Sequence, residues 1–376
     1  MSRMDADFIV VGAGIAGASI AYWLARSAKV LVLEREAQAG YHSTGRSAAL
    51  FMASYGPAQV RALTCASRAF FEHPPAGFCA HPLLTPRGAL VFAGQGQEAQ
   101  LAAHEALVRA TSARAERLTP AQALERVPLL VPDQLIGAVM EEDASDIDVD
   151  ALLQGFLRGA RARGSRIVFD AGMLSIARVG DAWEITTDAG VVRAPVLVNA
   201  AGAWADAVGA MAGAAPIGLV PKRRSAMLFA PPEGVAIAQW PMFMDVAQSF
   251  YVKPDAGMLL GSPCNADAVA AHDVQAEELD IAIAIDNIER MTALRVRRPQ
   301  HVWAGLRSFV ADGELVGGFD GAVPGLFWAA AQGGYGIQTA PAAGELYAAM
   351  LLGEAVPQAI AGWGVDPAAI SPARLR

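Results

Sequence analysis

Short, wholly apolar runs that end in glycine clusters recur along this chain. Phe8-Ile-Val-Val11 meets Gly12-x-Gly14-x-x-Gly17, helical sequence follows from Ala18 to Arg26, and Val30-Leu-Val-Leu33 is a second apolar run. Strands covered by helices on both faces read as such continuous runs, so the pattern predicts buried parallel strands joined by a helix. Ala194-Pro-Val-Leu-Val-Asn-Ala-Ala-Gly-Ala-Trp-Ala205 predicts a third strand that runs into small residues. Near the far end, Leu326-Phe-Trp-Ala-Ala-Ala-Gln-Gly-Gly-Tyr-Gly-Ile-Gln338 again delivers glycines to a helix start, with helical sequence to Leu352. Asp148 to Arg163 carries Val149, Leu152, Leu153, Phe156, Leu157 and Ala160 at helical spacing. Thr119-Pro-Ala-Gln122 has the capping residue, the N1 proline and the N3 glutamine of a helix start.

The first glycine cluster carries chemistry. Gly12 permits a tight turn, Gly14 lets backbone approach a pyrophosphate, and Gly17 lets helix and strand pack closely. Free N–H groups of the helix N-terminus, at Ile15 and Ala16, then face the phosphates. Glu34 ends the second run, 17 residues beyond Gly17, where a carboxylate accepts the hydroxyl hydrogens of an adenosine ribose. Strand, glycines, helix, strand and acid in this order predict a Rossmann-like dinucleotide site. FAD suits the remainder better than NAD. The polar loop Tyr41-His-Ser-Thr-Gly-Arg-Ser-Ala-Ala49 follows the second strand directly, and the distal glycine turn suits another polar part of a long cofactor.

Composition narrows the picture further. The chain has 376 residues, 54% hydrophobic and 18% charged, a globular composition long enough for two domains. A net charge of −8 argues against nucleic-acid or anionic-membrane binding. The three cysteines form no CxxC pair and the six histidines show no ligand spacing, so neither a dithiol centre nor a metal is expected, and a cytoplasmic setting is. Phe8 to Ala25 is an uncharged run of 18 residues, but Asp5 and Asp7 precede it and glycines interrupt it. It reads as folded core, not as an export signal or a transmembrane segment. Six acids in ten residues from Glu141 to Asp150 read as a solvated turn before a helix start.

These stretches resemble the FAD-dependent D-amino acid oxidase family. The likeness is closest to its bacterial D-arginine dehydrogenases, through Leu33-Glu-Arg-Glu-Ala-Gln, Gly40-Tyr-His-Ser-Thr-Gly-Arg-Ser-Ala-Ala49, Pro221-Lys-Arg-Arg-Ser225, Tyr251-Val-Lys-Pro-Asp-Ala-Gly-Met-Leu-Leu-Gly-Ser262 and Trp303-Ala-Gly-Leu-Arg-Ser-Phe-Val-Ala-Asp-Gly313. The resemblance implies an α/β protein: a discontinuous FAD-binding domain from 1–80, 145–220 and 303–376, and a smaller mixed-sheet (α+β) substrate domain from 81–144 and 221–302. It implies non-covalent FAD held by the glycine motif with Glu34 and Arg35, by Ser43, Thr44, Arg46, Ser47 and Ala48, and by Ala201, Gly202 and Trp204. The turn Gly333, Gly334, Tyr335, Gly336, Ile337 and Gln338 would complete that site.

The same resemblance implies hydride transfer from the Cα–H of a D-amino acid to the flavin N5, giving a 2-oxo acid and ammonia. Arg307 matches the carboxylate-binding arginine and Arg224 a second one, although a basic run such as Lys222-Arg223-Arg224 read alone is as well explained by a surface turn. Tyr55 and Tyr251 match active-site tyrosines. Gly334 and Gln338 lie where a backbone carbonyl receives the amine proton. The D-arginine dehydrogenase pattern has histidine at Leu50 and glutamate at Ala89, the glutamate that pairs with a cationic side chain. With Leu50, Met52, Ala89, Met242 and Met244 the pocket is expected to be apolar and to prefer neutral, hydrophobic side chains. Glu72 is the alternative acid. A secondary amine or 2-hydroxy acid as substrate, and a non-catalytic FAD-binding protein, are the competing readings. The electron acceptor, quinone, another carrier or O2, is not read from sequence.

Overall fold

The computed structural model describes residues 5–112 and 114–376. Its first sheet has six strands in the order Val316–Phe319, Leu326–Ala330, Val196–Asn199, Phe8–Val11, Val30–Leu33, Arg166–Val168. All neighbours run parallel except the first pair. The four apolar runs named above are all in this sheet and buried, save for half-buried Val196. Helices Ile15–Leu24 and Gly336–Leu352 lie on one face, joined in one core by Leu63, Phe71, Phe156 and Leu157 of two further helices. The other face packs on Trp183 and Ile185 of a three-stranded antiparallel sheet spanning 173–194. The uncharged run Phe8–Ala25 is thus split between a strand and a helix of ten residues, and among the described residues no helix is long and apolar enough to cross a membrane.

The second sheet has nine strands and is mixed. Its order is Asp267–Ala268, Val220–Phe229, Met258–Ser262, Tyr251–Asp255, Met242–Asp245, Ala89–Gly94, Leu135–Glu141, Ala115–Leu118, with His301–Phe309 also paired to Val220–Phe229. Strand alternation divides its two faces. Leu90, Phe92, Phe243 and Val252 point to a core shared with Ile281, Ala284 and Ile288 of helix Glu278–Met291. The residues between them, Val91, Met242, Met244, Tyr251 and Lys253, face a cavity on the opposite side. We propose the two sheets as the centres of the two domains. Strands Val220–Phe229 and His301–Phe309 then belong wholly to the second sheet, and the boundaries expected at 220/221 and 302/303 fall just inside them rather than in a linker.

Local signals explain the helix starts. Thr119 accepts the N–H of Gln122 while the Gln122 side chain accepts the N–H of Thr119, a reciprocal capping box. Asp148 caps Val149–Ala162 by accepting the Ala151 N–H at 2.9 Å. The acids just before it correct the solvated-turn expectation. Glu141 is 1% exposed, Asp146 pairs with Arg87 and Lys253, and Asp143 with Arg68. Those cations come from distant segments, and local composition carries no trace of them.

Candidate active site

The C-terminal end of the first strand opens onto a cleft of about 380 Å³. Gly12 turns the chain there with φ +101°, and a Cβ on it would meet the Ala200 carbonyl oxygen at 2.5 Å. A Cβ on Gly17 would meet the Gly12 oxygen at 2.0 Å, which is the close helix–strand approach that the motif requires. Glu34 is buried and accepts the Ala13 N–H at 2.7 Å and the Glu36 N–H at 3.0 Å, which fixes its carboxylate on the cleft wall. Thr44 Oγ1 accepts the Ile15 N–H at 3.0 Å. Trp204 closes one side, with the Arg35 guanidinium 4.2 Å above its ring and the His42 ring 4.6 Å away. Ala201 and Gly202 line the floor.

Gly14, Ser43, Thr44 and Gly202 are shared with a narrower cleft of about 130 Å³. Its walls are Ala16, Ser47 and Ala48 on one side and the turn Gly333, Gly334, Gly336, Ile337 on the other. Gly333 adopts φ +50° and donates its N–H to the Ser308 carbonyl at 2.9 Å, tying this turn to the strand of Arg307. Arg46 borders this cleft, but its guanidinium is engaged by Asp273 and by the Val274 and Ala304 carbonyls, so it straps the 273–274 loop. Tyr335 sits behind the turn, its hydroxyl donating to the Gly313 carbonyl and its ring beside Tyr55.

The narrow cleft opens in turn into a cavity of about 430 Å³, with Ser47, Ala48, Arg224, Tyr251, Arg307, Gly334 and Ile337 on both. Arg224 lies in a ten-residue strand, not in a surface turn. Alternation sends Arg223 to Asp280 and Glu277 on the helix side and Arg224 into the cavity. The Arg224 Nε–H donates to the Asn265 carbonyl at 2.6 Å, and Arg307 Nη1–H donates to the Tyr55 hydroxyl at 3.2 Å. Neither arginine has a carboxylate partner among the described residues. Burial, and then the like charge of Arg307, lower the Arg224 pKa, and burial raises that of the Tyr251 hydroxyl. Two half-buried guanidiniums facing one cavity without a carboxylate partner have the charge and the donor geometry to bind a carboxylate.

Leu50, Met52, Met242 and Met244 form one wall. Ala89 lies just behind it, registered against Met242 on one side and Glu141 on the other. Gln338 accepts the Met52 N–H at 3.2 Å and donates to Thr64 Oγ1 at 2.9 Å, so its amide fixes the Met52 loop. Glu72 is far from all this, on the surface with Arg68. Sequence reasoning did not name Val91, His104, Leu107, Val246, Gln248, Lys253 or Cys264, which also line the cavity. His104 and Leu107 belong to helix Glu98–Thr111, whose sequence has no motif. Burial lowers the His104 pKa and keeps the ring neutral near pH 7. Lys253 stood inside a quoted run, and its pairing with Asp146 at 2.7 Å satisfies its charge.

Comparison with known proteins agrees with this geometry. The profile of the FAD dependent oxidoreductase (DAO) family matches residues 7–350, and the chain belongs to that family. Glycine oxidase of Bacillus licheniformis is 26% identical, over 94% of this chain and 95% of its own length. Rat mitochondrial dimethylglycine dehydrogenase is 27% identical over 69% of this chain but only 31% of its own. The crystal structure of Geobacillus kaustophilus glycine oxidase shares the fold with a TM-score of 0.81 at 20% identity, covering 93% of this chain and 95% of that one. The expected closeness to D-arginine dehydrogenases has only the sequence runs behind it, and the relatives named above are of the glycine oxidase and dimethylglycine dehydrogenase kind. The protein is an FAD-dependent oxidoreductase. Its residues fit the cofactor: Glu34 would meet a ribose, Gly12 and Gly17 admit no side chain beside the helix start where phosphates would lie, and the turn 333–338 borders both the narrow cleft and the cavity.

Proposed function

We propose that this protein is a D-amino acid dehydrogenase for neutral, preferentially apolar substrates, oxidising them to the imino acid that water then hydrolyses to the 2-oxo acid and ammonia. The carrying observation is the pair Arg224 and Arg307, facing one cavity without a carboxylate between them. They would clamp the substrate carboxylate, with Tyr55 and Tyr251 beside it, and so aim the Cα–H toward the turn at Gly334. FAD, when bound, supplies the hydride acceptor. A Gly334 or neighbouring carbonyl would accept a hydrogen bond from the amine, whose proton leaves to solvent.

The side-chain preference follows from charge. Arg224, Arg307 and Lys253 line the cavity and, among the described residues, no carboxylate does. Asp146 is saturated by Lys253 and Arg87, each at 2.7 Å, and Glu72 faces solvent. A cationic side chain would meet like charge and no partner, while an aliphatic or aromatic one packs on Leu50, Met52, Met242 and Met244. A cavity of about 430 Å³ exceeds what glycine fills. The D configuration rests on the sequence resemblance. No His or Cys lines the narrow cleft, which supports non-covalent FAD.

The similarity to dimethylglycine dehydrogenase, named for an N-methylated amino acid, favours a second reading, an N-substituted (secondary or tertiary) amine on the same carboxylate clamp. Anaerobic mixing of the yellow protein with paired D- and L-amino acids separates them. Loss of visible flavin absorbance with D-Leu, D-Met or D-Phe, and slow loss with D-Arg, is expected. Bleaching by N-methyl amino acids alone would establish the second reading.

A further inference from the structure

Glu141 is a buried acid that this reaction does not use. It ends strand Leu135–Glu141, is 1% exposed, and has no ion pair with Lys or Arg among the described residues. Its cross-strand neighbour is Ala89, the position where the D-arginine dehydrogenase pattern has its cation-binding glutamate. Its oxygens are directed elsewhere. Oε1 accepts the Ala53 N–H at 2.8 Å and the Ser54 N–H at 3.4 Å, and Oε2 accepts the Ser54 hydroxyl at 2.5 Å. Those donors lie in the turn Met52–Tyr55, whose Tyr55 N–H reaches the Met52 carbonyl at 3.2 Å and whose Met52 N–H is held by Gln338. The turn supplies Met52 to the cavity wall and sets the Tyr55 hydroxyl on Arg307.

We propose that Glu141 is a positioning residue: it clamps the Met52–Tyr55 turn from beneath, so that Tyr55 stays on Arg307 and the carboxylate clamp is set before substrate arrives. The inference rests on the reading of Arg307 as carboxylate anchor. It excludes Glu141 as a charge partner for substrate, because its acceptors are occupied by the turn. Burial raises its pKa, and either protonation state satisfies the turn, since a protonated oxygen can donate to Ser54. Glutamine satisfies it equally, its oxygen accepting the two N–H groups and its nitrogen donating to Ser54 Oγ.

The test is benzoate binding to the FAD-loaded protein, read as a change in flavin absorbance, beside kcat and KM for the fastest amino acid of the panel. Glu141→Gln keeps both Kd and KM within about threefold of the parent, while Glu141→Ala weakens both by about tenfold to a hundredfold, the size of one lost charge-assisted hydrogen bond. The limiting rate of anaerobic flavin reduction changes less than KM does. Tyr55→Phe is not additive with Glu141→Ala, because the second acts through the first. Equal damage by Gln and Ala, or additive losses, would overturn the proposal. If Glu141→Ala does not fold, Ser54→Ala replaces it in the cycle with Tyr55→Phe, and additivity there overturns the proposal equally. Arg307→Ala separates the two readings: unchanged benzoate affinity in that variant refutes the anchor, whereas weakened affinity there with none in Glu141→Ala refutes the positioning role alone.

Discussion

Arg224 and Arg307 are diagonal neighbours on one face of two antiparallel strands, because Arg224 is registered against Gly305 and Arg307 against Lys222. Gly305 puts no side chain between them, Arg46 Cβ lying 3.3 Å from where its Cβ would be, and both guanidiniums reach the same cavity. Two cations on one anion give a strong, directional clamp.

Removal of either arginine is therefore expected to act on the same substrate group. Arg307→Ala should lower kcat/KM by roughly tens- to thousands-fold with FAD retained, as a lost buried carboxylate partner does. Arg224→Ala should lower it too, and the double variant should lose less than the product of the two. Steady-state kinetics and the flavin absorbance of the purified variants check this.

Cationic substrates should become usable when their partner is restored. Leu50→His with Ala89→Glu is expected to raise the ratio of D-Arg to D-Met kcat/KM. The register adds a cost: a glutamate at 89 stands directly across from Glu141, and like charges facing across strands destabilise. A lowered Tm in the double variant, recovered by adding Glu141→Gln, is the expected outcome. No gain of D-Arg activity at all would count against the assignment of this wall to the substrate side chain.

The glycine turn leaves no room for a methyl group. A Cβ on Gly334 would lie 2.6 Å from the Tyr55 hydroxyl oxygen and 2.9 Å from Arg307 Nη1. Gly334→Ala should push both aside and lower kcat/KM by about a hundredfold, the cost of a roughly 1 Å misplacement. Unchanged flavin content with a raised KM is the expected signature.

Asp320 gives a stability prediction. Its carboxylate is fully enclosed and accepts from Arg376, from Trp328 Nε1 at 2.9 Å, and from the Ala322 and Val323 N–H groups. Burial alone would raise its pKa, but the Arg376 and Trp328 hydrogen bonds outweigh that and hold it below the ordinary aspartate value. A depressed carboxylate pKa contributes stability that is fully present above about pH 4 and is lost as pH falls below it. Arg376→Ala should cost about 1–3 kcal/mol near neutrality and should flatten this acid limb. Thermal unfolding measured between pH 3 and 7 tests both.

How much of this the sequence disclosed depended on how local each cause was. The turn at Gly12, the approach at Gly17 and the acid at Glu34 are fixed by neighbours in the chain, and the dinucleotide-binding fold followed from them. The capping box at Thr119 is equally local. The fate of the acids 141–150 was not legible, because Arg87 and Lys253, 59 and 107 residues from Asp146, decide it. Arg224 read alone fitted a surface turn, since a run of three basic residues does not announce that alternate members face opposite sides of a sheet. His104 and Leu107 reach the cavity only through the docking of their helix.

The long cleft also bears on how the chain holds together. The residues that border it, near 12–17, 40–48, 200–204 and 333–337, are scattered over most of the sequence and meet only in the finished fold. A dinucleotide lying there is a staple that the unfolded chain cannot bind, so each tenfold excess of FAD over its Kd adds about 1.4 kcal/mol to the folded state. Unfolding therefore releases the flavin, and the change in its absorbance on release reports the loss of the fold.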